Sequence, residues 1–167
     1  MNDYNVPVIK IEDTINSKKN VDFIKSLKAD LILIIAGNQI IKKRVLDSTK
    51  YGVFNVHSSL LPNYKGLMPS FWVLKNKEPK TGVTLYQLTE GIDDGPIIAC
   101  KEFKLDSGIT QSKLVKELKI LANDLIIESI DMITNRKNYK IIKGGSYFKF
   151  PTSVDVKEFK KKNQKFY

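Results

Sequence analysis

Cysteine, histidine and tryptophan each occur once in the 167 residues. A lone thiol, Cys100, excludes an internal disulfide, and a reducing cytoplasm is the expected setting. One histidine and one cysteine do not make a zinc site of ordinary spacing, so no metal is expected. No apolar run approaches the ~20 residues that a membrane-crossing helix needs. The opening Met1-Asn2-Asp3-Tyr4 lacks the basic and apolar regions of a signal peptide. Acidic residues are also scarce: 18 Asp and Glu against 28 Lys and Arg leave a net charge of +10. Such a balance can serve a nucleic acid, a phosphorylated ligand or a membrane surface. Here the lysines are scattered through every segment. The densest group, Lys157, Lys160, Lys161, Lys162 and Lys165, reads as a solvated helix face or tail. Neither a membrane nor a nucleic acid is an expected partner.

What remains is an ordinary globular mixture, 42% hydrophobic and 28% charged, long enough for one domain with its own core. We expect a single domain over 1–167, with a C-terminal helix and basic tail over 149–167. Weak alternation predicts a short strand over Val6–Ile11. Helical spacing follows across Val21–Leu27. Leu31–Ala36 is a continuous apolar run of the length of a strand buried on both faces. A short helix over Ile40–Leu46 and a strand over Val53–His57 come next. Strand, helix, strand alternation argues an α/β fold with a parallel sheet. Leu60–Gly66 reads as a loop and Met68–Lys75 as a helix. The β-rich Gly82–Leu88 and Ile97–Leu105 flank a tight connection, which predicts an antiparallel hairpin. Thr110, a fair N-cap, opens a long helix to Asn135. A last strand over Tyr139–Ile142 and an amphipathic helix over Ser153–Lys162 complete the chain. Cys100 lies in the second hairpin strand and is not read as a nucleophile.

The one histidine, His57, carries the chemistry. It ends a predicted parallel strand, where open α/β sheets place their ligands. Its unperturbed charge change lies nearest neutrality of any side chain. Asn55 is two residues earlier, so its carboxamide leaves the same face. A Gly-flanked acid pair, Asp93 and Asp94, follows in Gly91-Ile92-Asp93-Asp94-Gly95-Pro96, and a carboxylate from that loop would hold the imidazole. Amide donor, imidazole and acid together would stabilise the oxyanion formed when an amine attacks a carbonyl carbon.

Several ordered motifs carry a resemblance. They are Asn55-Val56-His57-Ser58-Ser59-Leu60-Leu61-Pro62, the Lys65-Gly66 pair, Thr81-Gly82-Val83-Thr84, and Asp93-Asp94-Gly95-Pro96-Ile97. Their order and spacing resemble the folate-dependent formyltransferases, which include the glycinamide ribonucleotide, methionyl-tRNA and nucleotide-sugar enzymes. The likeness runs from about Val6 to the end of the hairpin, and Phe148-Lys149-Phe150-Pro151-Thr152 with Phe159 is similar to some members. Members commonly carry Pro or Gly where Ser58 stands. The resemblance implies that Asn55 holds the formyl oxygen of 10-formyltetrahydrofolate, that His57 supplies the imidazole, and that Asp93 supplies the carboxylate. Ser58 and Ser59 would shape the loop rather than act as nucleophiles. It further implies a pterin pocket walled by Asn38, Gln39, Ile40 and Ile41 on one side and Glu90, Gly91 and Ile92 on the other.

The same comparison marks a departure. The family's opening strand, Gly-rich turn and helix, and its second strand and helix, have no counterpart here. The expected fold is therefore the Rossmann-like formyltransferase core, mostly parallel with an antiparallel hairpin strand, without its first strands. Leu31–Ala36 would be left as an exposed apolar edge, open to pairing in a homo- or hetero-oligomer. The expected activity is formyl transfer from 10-formyltetrahydrofolate to a small-molecule primary amine. An amino-sugar nucleotide is the favoured acceptor. Methionyl-tRNA is disfavoured because no room remains for a further C-terminal domain, and glycinamide ribonucleotide because Pro69-Ser70-Phe71-Trp72 departs from that branch. The alternatives are a 10-formyltetrahydrofolate hydrolase, a catalytically silent folate-binding or assembly subunit, and a basic nucleic-acid binder, which steep salt dependence would reveal.

Overall fold

A computed structural model describes residues 6–135, 139–141 and 143–167. Two apolar segments begin the sheet. Leu31–Ile35 (β1) and Gly52–His57 (β2) run parallel, with Ile34 opposite Asn55. Parallel neighbours need a crossover, and Lys43–Leu46 (α2) lies within it. Val45 of α2 is buried with Val21 and Ile24 of the first helix, Lys18–Ser26 (α1). After a two-residue strand at Lys65–Gly66 (β3) and a helix at Pro69–Lys75 (α3), Lys80–Gln87 (β4) pairs antiparallel with β2. Ile97–Lys104 (β5) closes the hairpin on β4. The order is β1-β2-β4-β5. Three strands point one way and the hairpin strand β4 opposes them, as expected.

Alternate residues of β1 face different layers. Leu31 and Leu33 pack with the cluster of Phe54, Phe71, Leu85, Leu114 and Leu118, while Ile32 and Ile34 join Val21, Ile24 and Val45. Helices thus cover both faces, as period-2 alternation across a sandwiched sheet requires. The long helix Gln111–Thr134 (α4) starts where predicted: the Thr110 hydroxyl accepts the Lys113 amide. Its first amides, on Gln111 and Ser112, donate to the carbonyls of Lys165 and Phe166. The chain end therefore satisfies donors that every helix start leaves open. Tyr147–Phe148 (β6) pairs in parallel with β3. Ser153–Lys161 (α5) opens on a capping box made by Thr152 and Asp155. No helix among the described residues is long and apolar enough to cross a membrane.

Four sequence expectations fail locally. Val6–Ile11 forms no strand and leaves Val6, Val8 and Ile9 exposed; Pro7 also removes a ladder donor there. Leu31–Ile35 is a strand packed on both faces yet only half-buried, because its outer edge is open, as the missing first strands imply. No described strand pairs with its outer edge, and Ile35 is 58% exposed. Helix α2 begins at Lys43 rather than Ile40, because Asn16 claims the preceding backbone: its Nδ2 donates to the Ile40 carbonyl and its Oδ1 accepts the Lys42 amide, each at 2.8 Å. The strand expected over Tyr139–Ile142 is reduced to one bridge, Ile97 to Lys140; Ile142 lies outside the described residues, as does Met1–Tyr4.

An aromatic file ties the C-terminal segment to α3. Tyr64 stacks on Phe148, Phe148 on Trp72, Trp72 meets Phe71 edge-on, and Phe71 stacks on Phe159. Beside it, buried Lys75 pairs with Asp155 at 2.7 Å and Glu158 at 2.8 Å. The Lys75 ammonium, then the Thr152 hydroxyl and amide, hold the Asp155 carboxyl down from 3.8 to about 2. A carboxyl depressed in the folded state stabilises fully above its unfolded value and loses that contribution as pH falls through its folded value. Wild type should therefore melt above Asp155→Asn at pH 7, with the gap closing between pH 3.8 and about 2. Circular-dichroism melts across that range check this; a constant gap would mean that the ion pair does not set the difference.

Candidate active site

The β2–β4 register creates the site. Asn55 lies opposite Tyr86 and His57 opposite Thr84. Directly opposed residues project to one face, and Phe54, Leu85 and Val83 fill the other, core face. Past His57 the chain folds back through a tightly held loop. Thr84 Oγ1 donates to the Ser59 carbonyl at 2.7 Å and accepts the Leu61 amide at 3.1 Å. Ser59 is fully buried and donates to the Asn63 carbonyl, so it braces the loop. The Leu61–Pro62 peptide is cis.

This loop delivers the Tyr64 carbonyl to 2.7 Å from His57 Nε2. A carbonyl only accepts, so in the neutral ring Nε2 carries the hydrogen and Nδ1 the lone pair. Nδ1 stands 3.7 Å from Asp93 Oδ2. That is too long for a hydrogen bond and close enough for charge attraction. Asp93 sits at φ 48°, a left-handed conformation that Asp tolerates better than most residues. Its Oδ2 accepts the Gly66 amide at 2.7 Å, and its Oδ1 accepts the Tyr86 hydroxyl at 2.5 Å. The same hydroxyl accepts Asn55 Nδ2 at 2.9 Å. Burial, then the Asp93 charge, pushes the Tyr86 hydroxyl far above the ordinary tyrosine range, so it stays protonated and donates. Tyr64 is likewise pushed up, to about 12, by burial and by its hydrogen bond to Glu78.

Gly66 is required where it stands. Its φ is +93°, and a Cβ would meet the Phe148 carbonyl and the Tyr147 ring. The strap 145–149 holds the segment 64–67, the roof of the site: Ser146 Oγ accepts the Tyr64 amide and the Phe148 carbonyl accepts the Leu67 amide, while the Lys149 carbonyl accepts Trp72 Nε1 of α3.

A cleft of about 980 Å³ opens on Asn55, His57, Tyr86 and Asp93. That is at the upper end for small-molecule sites. Asn38, Gln39, Ile40 and Ile41 border it on one side, and Gly91 and Ile92 on another; Glu90 does not line it. Of the two polar residues of the first wall, Gln39 is already engaged, since its Oε1 accepts from Thr14 and from the Ile15 amide. Ile40 is 68% exposed, whereas Ile41 packs in the core with Val21, Ile24 and Val45. Among the described residues no three His, Cys, Asp or Glu side chains cluster as metal ligands. Sequence reasoning missed Tyr86, the Gly66 amide and the Tyr64 carbonyl. Tyr86 looks like one more β-former in an apolar strand, and only the register sets it between Asn55 and Asp93.

Comparison with known proteins adds an independent line. Residues 10–130 match the family described as Formyl transferase. The methionyl-tRNA formyltransferase of Thermotoga maritima is 36% identical over 130 residues, covering 78% of this chain and 41% of that protein. The Clostridioides difficile methionyl-tRNA formyltransferase is 39% identical over 132 residues, with 77% and 41% covered. The chain thus spans about two fifths of the length of the curated relatives it matches. Among solved structures, the formyltransferase PseJ from Anoxybacillus kamchatkensis, in complex with UDP-4,6-dideoxy-4-formamido-L-AltNAc and tetrahydrofolate, superposes with a TM-score of 0.65 at 26% identity. It covers 86% of this chain and 71% of its own.

The roof makes a testable demand. Gly66→Ala should cost on the order of 2 kcal/mol in urea unfolding, from the left-handed backbone and the collision with Phe148. An unchanged midpoint would show that β3 is not clamped against β6.

Proposed function

The chain belongs to the formyl transferase family, and from that premise we propose that it transfers a formyl group from 10-formyltetrahydrofolate to a primary amine, with an amino-sugar nucleotide as the leading acceptor class. The observation that carries this reading is that Asn55 and Asp93 share the Tyr86 hydroxyl while His57 Nδ1 faces the same Asp93 carboxylate, all three lining one largely apolar cleft. The cleft suits a flat heterocycle. Ile40 and Ile92 line it and remain 68% and 49% exposed, so both have apolar surface to cover. Asn38 and the backbone around Gly91 supply polar edges. PseJ, with its bound nucleotide-sugar product and tetrahydrofolate, supports the acceptor class, and a charge of +10 suits an anionic acceptor.

The folate supplies the formyl carbon, which gains a bond to the amine nitrogen and loses its bond to N10. The residues of this chain supply charge and proton management. Asn55 spends one Nδ2 hydrogen on Tyr86 and keeps the second for a carbonyl oxygen. His57, with Nε2–H engaged by Tyr64, bears any added proton at Nδ1. The Asp93 carboxylate 3.7 Å away offsets that charge. Negative charge growing on the formyl oxygen would meet two donors, each worth ~3 kcal/mol in a preorganised site. Asp93 keeps a second lone pair on each oxygen and accepts, through water, the proton that leaves the amine; that proton ends on N10. No covalent enzyme intermediate is needed.

The test is direct. Protein, 10-formyltetrahydrofolate and candidate amines (UDP- and dTDP-amino sugars, with methionyl-tRNA for comparison) are followed by folate absorbance and product mass. Formylated nucleotide sugar is expected. His57→Ala and Asn55→Ala should each lower kcat by roughly 10²–10³ while leaving the fold intact. Full turnover by His57→Ala would overturn the mechanism, and failure to consume the donor with any amine would overturn the activity.

A further inference from the structure

We infer that Tyr86 is a positioning residue that locks the Asn55 carboxamide and the Asp93 carboxylate in their working orientations. The inference rests on the proposed formyl transfer for its kinetic consequence and on hydrogen-bond logic for its substance. An ionised carboxylate only accepts. Asp93 Oδ1 lies 2.5 Å from the Tyr86 oxygen, so the single hydroxyl hydrogen is committed to Asp93. The tyrosine oxygen can then only accept from its remaining neighbour, Asn55, at 2.9 Å. That neighbour must present Nδ2, because Oδ1 would set two acceptors face to face. The choice between amide nitrogen and amide oxygen, which electron density rarely settles, is here fixed by the partners.

Asn55 therefore keeps its second N–H, rather than a bare carbonyl, for the cleft. Tyr86 itself has no freedom to yield. It is 1% exposed, on the central hairpin strand, in a small cluster with Leu61 and Ile97. Asp93 is held from the other side by the Gly66 amide at 2.7 Å. Its two oxygens thus answer to two different segments, and the one nearer His57 Nδ1 is Oδ2. A phenyl ring at position 86 would keep the packing and remove both constraints. The amide could then turn end for end, and Asp93 could rotate about its Gly66 contact.

The experiment compares wild type, Tyr86→Phe and the control Tyr167→Phe, whose ring is 94% exposed at the chain end. Tyr86→Phe should lower kcat about 10- to 100-fold, the usual cost of losing an orienting partner, with the KM for 10-formyltetrahydrofolate little changed. In an Asn55→Ala background the same substitution should cost much less, since half of its target is gone. Tyr86→His, which restores a ring N–H, should recover part of kcat and serves if the phenylalanine variant does not fold. A second readout needs no turnover: the protein's one histidine gives a single imidazole NMR signal, whose chemical shift should change in Tyr86→Phe and not in Tyr167→Phe. If wild type transfers formyl and Tyr86→Phe keeps its kcat, this inference is wrong and the activity stands. If wild type transfers nothing, the activity fails and the histidine signal decides alone; an unaltered signal in Tyr86→Phe overturns the inference.

Discussion

The Asp93 carboxylate is the junction on which the site depends. It accepts from the roof through the Gly66 amide and from the sheet through the Tyr86 hydroxyl, and it faces His57 across 3.7 Å. Each contact comes from a different stretch of chain. The hairpin connection carries Asp93 itself, the loop after β2 brings Gly66, and β4 brings Tyr86. Removing the carboxylate would strand a backbone amide and a buried hydroxyl, each at ~1–3 kcal/mol if left unsatisfied. The charge that the proposed chemistry would use is thus also what closes the loops around it, so site geometry and local stability are coupled through one group.

That junction holds because its supports are rigid. The roof carries no regular structure beyond two residues of β3, and a loop of that kind would ordinarily be mobile. Here it is bonded at Tyr64, Lys65, Gly66 and Leu67 to the strap 145–149 or to Asp93, and Trp72 of α3 ties down the far end of the strap. The strap is in turn seated by Phe148, which stacks between Tyr64 and Trp72. Rigidity matters to the proposed reaction, because oxyanion donors act only when they are already oriented toward the developing charge.

Legibility in the sequence followed the range of the physics. Period-2 geometry is local, so Asn55 and His57 could be set on one face from spacing alone. The N-cap at Thr110 is local too, and α4 begins there. Asp93 needed more. Asp before Gly is an ordinary turn signal, and only the family resemblance separated it from Asp94. Tyr86 stayed hidden because its role depends on antiparallel register, which links residues 31 apart. The same limit explains the local failures. Asn16 decides where α2 begins from about two dozen residues upstream, and no periodicity in Ile40–Leu46 contains that information. Ile40 and Ile41 are neighbours of equal hydropathy that both border the cleft, one exposed at its rim and the other buried in the core behind it.

The C-terminal lysines make the last point about reading charge without structure. All five of Lys157, Lys160, Lys161, Lys162 and Lys165 are exposed, as a solvated face should be. The segment that bears them is nonetheless no loose tail. Phe159 is fully buried, Phe166 packs on it, and the Lys165 and Phe166 carbonyls take the first amides of α4. Its basic surface follows from keeping an apolar stripe pointed inward and everything else in water. Through the Phe71–Phe159 stack and the Lys75–Asp155 pair, the same segment braces α3, whose Trp72 abuts the strap. The charge that a sequence displays most loudly is here the outer skin of an element whose buried face steadies the active-site roof.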